Sequence, residues 1–92
     1  MSSWRFRITI DAENDIARLD APIRKRVKER LVWFQSHFEE MVPQPLGGTL
    51  AGFFKLRAGD WRIVYGIEND KSLVTIHVVD RRDKIYRRKF KI

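Results

Sequence analysis

The apolar residues of this chain change their spacing once, near its middle. From Ile23 through Val27, Leu31, Phe34 and Phe38 to Met41 they recur every three or four positions. From Phe54 to Val78 they alternate in short runs broken by turn residues. The first spacing keeps one face of a helix apolar, and the second keeps one face of a strand apolar. A chain of 92 residues has the size of one domain, so residues 1–92 are expected to form a single domain in which both patterns share a core. The chain has no cysteine, which excludes a disulfide scaffold, a thiolate zinc site and a cysteine nucleophile.

The remaining punctuation orders the elements. Phe6, Ile8 and Ile10 alternate with Arg5, Arg7 and Thr9, the pattern of a half-buried strand. Asp11 is placed to cap a short helix from about Ala12 to Leu19. Asp20-Ala21-Pro22 marks a break and restart, because proline is tolerated in a first helical turn. The long helix then runs to just before Pro43, and its Arg24, Lys25, Lys28 and Glu29 face is read as solvated. Residues 43–48 carry turn chemistry and form a loop. Phe53–Arg57, Trp61–Ile67 and Leu73–Val79 read as strands separated by turns at Ala58-Gly59-Asp60 and Glu68–Lys71. A further short strand is expected near Lys84–Phe90. The predicted fold class is α+β, of order β-α-α-β-β-β(-β), with two N-terminal helices on one face of a small antiparallel sheet and the other face open.

Charge is distributed unevenly. The formal net charge is +7, of which +6 falls in residues 51–92. A one-signed surface of this kind attracts polyanions. Strand parity puts Phe54 and Leu56 on one side of the first hairpin strand and Lys55 and Arg57 on the other. Trp61, Ile63, Tyr65 and Ile67 share a side, opposite Arg62, Val64 and Gly66. Val74, Ile76 and Val78 are expected to face the helices, with Thr75 and His77 outward. Lys55, Arg57, Arg62 and His77 then lie on the open face, bordered by the run Arg81-Arg82-Asp83-Lys84-Ile85-Tyr86-Arg87-Arg88-Lys89. Cationic groups hold phosphates and flat side chains stack on splayed bases, so this face suits single-stranded nucleic acid. His37 and Trp4, Trp33 and Trp61 read as structural. Two separated histidines without cysteine give no transition-metal cluster. The longest apolar runs are too short to span a membrane, and the N-terminus lacks an apolar leader segment. The expectation is a cytoplasmic protein with no membrane association.

The stretch Lys55-Leu56-Arg57-Ala58-Gly59-Asp60-Trp61-Arg62-Ile63-Val64-Tyr65 resembles the K-L-R-x-G-D-[YW]-R core of the RelE/ParE superfamily of bacterial type II toxins. Leu46-Gly47-Gly48 and Leu50-Ala51-Gly52 resemble the approach to that core, and Val79–Arg87 resembles its closing V-G-H-R-x-[DE]-V-Y-R stretch. The element order agrees, and the RelE branch is the nearer. The resemblance implies an endoribonuclease that enters the ribosomal A site and cuts the mRNA there without metal or other cofactor. In that chemistry the ribose 2′-hydroxyl attacks the adjacent phosphate, leaving a cyclic phosphate and a 5′-hydroxyl. Carried over by position, the catalytic candidates are Lys55, Arg62, Arg82 and Tyr86, with Arg57 as a backbone contact; the basic run adds Arg81, Arg87, Arg88 and Lys89 as RNA-binding candidates.

Arginine and lysine stabilise the charge that gathers on a phosphorane. A lysine or tyrosine titrates near 10 in water, so proton transfer by either at neutral pH calls for a shifted value. The chain departs from the family pattern in two places: Phe53 stands where a second lysine is usual, and Asp80-Arg81 where Gly-His is common. The resemblance also implies a cognate antitoxin, and the charge of +6 in residues 51–92 suits an acidic one. Two other readings share the fold, a ParE-like inhibitor of DNA gyrase and a basic RNA-binding module without catalysis.

Overall fold

The computed structural model describes residues 3–89. Its elements are β1 (Arg5–Ile8), α1 (Ile10–Ala17), α2 (Ala21–His37), β2 (Gln44–Pro45), β3 (Phe54–Ala58), β4 (Trp61–Glu68) and β5 (Leu73–Arg81). Single 3-10 turns lie at Gly48–Leu50, Asn69–Lys71 and Ile85–Arg87. The five strands form one sheet in the order β1-β5-β4-β3-β2. It is not wholly antiparallel. β1 pairs parallel with β5, Arg5 opposite Leu73 and Ile8 opposite Ile76. Parallel pairing needs a long crossover, and the helices and hairpins between the two strands supply it.

The first helix begins earlier than its sequence predicts, and Thr9 caps it rather than Asp11. The Thr9 hydroxyl accepts from the Ala12 N–H at 3.1 Å, while its own N–H continues the strand ladder to the Ile76 carbonyl at 3.0 Å. One extended residue thus closes β1 and opens α1. Arg24, expected to be solvated, folds back over the end of α1. It donates to the carbonyls of Ile16, Ala17 and Leu19, where a cation offsets the negative end of the helix. α2 stops at His37, short of Met41, and the chain tightens with Glu40 and Met41 both donating to the His37 carbonyl. Its apolar stripe is placed as predicted. Val27, Phe34 and Phe38 are buried, and Ile23, Leu31 and Met41 pack beside them.

That stripe meets Leu56, Ile63, Tyr65, Val74 and Ile76 on the sheet. Phe34 lies 4.6 Å from the Tyr65 ring and meets Phe6 and Phe38 edge-on at 5.7 and 5.5 Å, each pair adding about 0.5–1.5 kcal/mol beyond its burial. Val78 does not join this set, contrary to strand alternation. Tyr65 pairs with Ile76 but Val64 pairs with Val78, so His77 is the extra residue of a β-bulge. The bulge resets parity: Val79 faces the helices, and Val78 turns to the other side with Val64.

The second face of the sheet is therefore only partly open. Leu46, Leu50, Val64, Val78 and Ile85 form a small core there, with Phe53 against it. Two loop segments cover it. One runs from Leu46 to Phe53, directly after the edge strand Gln44–Pro45 that forms within the predicted loop; the proline of that strand sits where a missing N–H is tolerated. The other is the turn Ile85–Arg87, which replaces the predicted last strand; Phe90 lies outside the described residues.

The C-terminal segment is fastened by a buried ionic cluster. Asp15 of α1, 7% exposed, accepts from the Val79 N–H at 3.0 Å and from Arg88 Nη2 at 2.9 and 3.0 Å. Arg88 Nη1 donates to Asp80 at 3.0 Å. Because β1 ends at Ile8, opposite Ile76, the Asp15 carboxylate takes over the strand edge that β1 leaves. Breaking a buried pair costs about 3–5 kcal/mol. Arg88 retains Asp80, so urea unfolding of Asp15→Ala should show a loss near the lower end, about 3 kcal/mol. Thr9→Ala should lose about 1 kcal/mol in the same measurement.

Candidate nucleic-acid interface

The hairpin between β3 and β4 sets the centre of the basic face. Ala58 and Trp61 pair across a two-residue loop, Gly59-Asp60. Gly59 has φ +62°, the left-handed first position that a type II′ hairpin turn reserves for glycine. Arg62 follows the turn, and its Nη1 donates back to the carbonyls of Gly59 at 2.8 Å and Trp61 at 3.0 Å. These bonds fix the guanidinium plane, and the side chain is only 8% exposed. Nε and Nη2 make no hydrogen bond among the described residues, and no carboxylate there lies within ion-pair distance of this guanidinium.

Two further cations crowd Arg62. Arg57 is its cross-strand partner on β3. Arg82 begins the turn after β5, held there by its N–H donating to the Asp60 carbonyl at 3.0 Å. Burial, then the Arg57 and Arg82 charges, push the Arg62 guanidinium below its ordinary pKa, with Asp60 opposing. Three arginines with one nearby carboxylate make a site of strongly positive potential in partly desolvated surroundings. Such a site attracts a phosphate, and arginine can meet it with two parallel bonds.

The other candidates divide. Lys55 lies on β3 opposite Val64 and so shares the face of Arg57 and Arg62. Tyr86, half-exposed, lines a groove of about 320 Å³ with Phe53, Arg87 and Lys89. Arg81 is exposed and forms a 3.6 Å surface pair with Asp83, which constrains it little. Arg88 also lines that groove, but its guanidinium is engaged by Asp15 and Asp80. His77 is on the predicted face but beside Gly66, four residues along β4 from Arg62, or about 13 Å at the strand rise. Parity alone could not show that separation. Arg30, read only as part of the long helix, donates from Nε to the Arg57 carbonyl at 2.9 Å and lies over the Trp33 ring at 4.1 Å. It holds the free edge of β3, and only its helical position relative to the strand could have announced that.

His77 is 6% exposed. Burial and the Arg7 charge lower its pKa, with Glu68 acting the other way. The folded protein thus favours neutral imidazole. The stability this contributes is complete above the ordinary value of about 6.5. It falls as pH drops from there toward His77's own lower value, because the unfolded chain takes up the proton first. Urea unfolding from about pH 7.5 to 5 should show this decline, and His77→Gln should flatten it. Equal slopes in the two proteins would contradict the assignment.

Among the described residues no helix is long and apolar enough to cross a membrane, and no three His, Cys, Asp or Glu side chains cluster to hold a metal. Comparison with known proteins gives consistent relatives. Residues 6–86 match the family model described as the ParE toxin of the type II toxin–antitoxin system parDE. Toxin RelG of Mycobacterium tuberculosis is 37% identical over 85 residues, covering 92% of this chain and 98% of that protein. Toxin RelE of the same organism is 30% identical over 84 residues, covering 91% and 87%. In structure, the chain superposes on the M. tuberculosis RelBE2 toxin–antitoxin complex with a TM-score of 0.72, at 31% identity over 86% of this chain and 98% of the matched one. Isolated Escherichia coli RelE shares the fold at a TM-score of 0.65 and 20% identity, covering 92% and 93%. A match that takes in both helices and all five strands makes the affiliation plain: this chain belongs to the RelE/ParE superfamily of type II toxins.

Proposed function

We propose that this toxin is a ribosome-dependent endoribonuclease that cuts mRNA in the A site. The observation that carries the reading is the buried Arg62, fixed by two main-chain carbonyls and flanked by Arg57 and Arg82. In the proposed reaction the ribose 2′-oxygen bonds to the adjacent phosphorus, and the bond from phosphorus to the 5′-oxygen breaks. The 2′-hydroxyl loses its proton and the departing 5′-oxygen gains one, leaving a 2′,3′-cyclic phosphate and a 5′-hydroxyl. Arg62 donates to the non-bridging oxygens through its remaining N–H groups. Because its plane is already set, little reorganisation opposes the charge as it develops. Arg82 and Arg57 add to the same field, and Lys55 lies beside them on β3. Tyr86 offers a ring for stacking and a hydroxyl for proton transfer at the neighbouring groove.

The mycobacterial RelBE2 relative is a toxin–antitoxin complex, and the net charge of +7 suits an acidic antitoxin here, chiefly by speeding encounter. The ribosome would supply the rest of the substrate's geometry. A gyrase-directed reading draws on the ParE description of the matching family model, but it leaves the converging arginines without a task.

The test is to incubate purified protein with mRNA, free and on programmed ribosomes, and to map the new 5′ ends. Wild type should cut in the A site on ribosomes only. Arg62→Ala should be slower by about 100- to 1000-fold, the usual effect of losing one preorganised donor, with unchanged far-UV circular dichroism. Arg62→Lys should recover little, since one ammonium cannot reproduce the fork. An Arg62→Ala protein that cuts at the wild-type rate would overturn this assignment. No cutting by wild type, with filamentation of expressing cells, would favour gyrase.

A further inference from the structure

The same sheet face carries a second concavity, at the end away from the arginines. It has a volume of about 590 Å³, within the range of small-ligand sites, and lies between the Ala51–Phe53 loop, the end of β4 and the start of β5. Its lining combines three chemistries. Arg7 and Lys71 bring positive charge, although Lys71 also meets Glu68 at 3.5 Å on the surface. Phe53 forms an apolar wall, with its ring 5.3 Å from His77 and nearly perpendicular to it. Thr75 and His77 are buried polar side chains, 3% and 6% exposed, that line the same space. The buried Thr75 hydroxyl has no hydrogen-bond partner among the described residues, a costly arrangement that native structures seldom keep without use.

Gly66 explains why the space exists. A Cβ there would stand 3.4 Å from His77 Nε2 and 3.7 Å from Phe53 Cδ1. Its backbone is not in the left-handed region, so glycine is not required for conformation. What it does is leave the floor uncovered. A valine at this point would suit the strand and cover the floor between His77 and Phe53.

We propose that this concavity receives a nucleobase of the bound RNA, on a nucleotide near the one that is cut. The base would lie against Phe53, with its polar edge toward Thr75 and His77 and its phosphate toward Arg7 and Lys71. The inference rests on the RNA-cleaving reading above, and the distance along β4 supports it, since about 13 Å separates Gly66 from Arg62 on one face. Imidazole and hydroxyl can each donate and accept, so they can distinguish base edges that bare charge cannot.

The experiment titrates the 15N-labelled full chain with each of the four nucleoside 5′-monophosphates, following amide shifts by NMR. Shifts are expected at Phe53, Gly66–Glu68 and Thr75–His77, unequal among the four bases. Gly66→Val should weaken binding about tenfold or more, comparable to losing one base–aromatic stack. Arg7→Ala, an exposed change, should weaken it several-fold. Thr75→Val should weaken it too while unfolding at no lower urea concentration than wild type, which separates a ligand role from a structural one. Arg62→Ala should retain pocket binding. On ribosomes, Gly66→Val should still cut but with an altered preference for neighbouring nucleotides. Absence of shifts at the cavity, or shifts that Arg62→Ala abolishes and Gly66→Val retains, would overturn the proposal, as would an unchanged cleavage pattern in Gly66→Val. Pocket binding by a wild type that cuts no RNA would instead fail the nuclease reading and leave a base-binding pocket standing.

Discussion

The carboxylate of Asp15 is the point at which three separate parts of the chain are joined. It belongs to α1, it replaces a missing strand neighbour at Val79, and it anchors Arg88 in the segment after β5. Each task alone is ordinary. Together they mean that the helical layer, the centre of the sheet and the C-terminal segment cannot shift independently. The functional face depends on this. Ile85 packs into the second core while Arg88 is held three residues later, so Tyr86 and Arg87 between them are presented from a tethered turn.

The bulge at His77 has consequences on both sides of the sheet. One extra residue in β5 returns Val79 to the helices and sends Val78 to the opposite face. Val78 and Val64 then require cover, which the Leu46–Phe53 loop and the Ile85–Arg87 turn provide. That cover divides the basic face. The three arginines lie at the hairpin end, and Arg7, Lys71 and His77 line the concavity at the other. Phe53 lines both that concavity and the groove holding Tyr86. The position that departs from the family pattern is therefore a shared wall rather than a lost one.

Much of this architecture is legible in residue spacing, because burial of one face imposes a period. The stripe from Ile23 to Met41 and the strands around Gly59 follow directly from it. So does Arg62, whose place just after a glycine turn fixes both its face and its proximity to Arg57. What spacing cannot express is a change of phase. Nothing in Val74–Val79 marks His77 as an extra residue, so strict alternation misplaces Val78. Nor does composition separate Arg88 from Arg81, Arg82 and Arg87. The difference is a carboxylate 73 positions away, which only the folded chain brings near. Thr9 is obscured differently: inside an alternation that continues to Ile10 it carries no mark of a cap, yet it does both jobs.

The parallel pairing of the first strand with the last has a bearing on when the protein comes into being. Arg5 must wait for Leu73 before β1 has a neighbour, and Asp15 must wait for Arg88. Chain order makes these among the last contacts available as the protein is synthesised N-terminus first, and such distant pairings are slow to close. The nascent chain therefore lacks a finished sheet until β5 is free to fold. For a toxin, topology of this kind acts as a delay: the sheet that carries the face around Arg62 is complete only once β5 and the segment holding Arg88 can reach the N-terminal strand and helix.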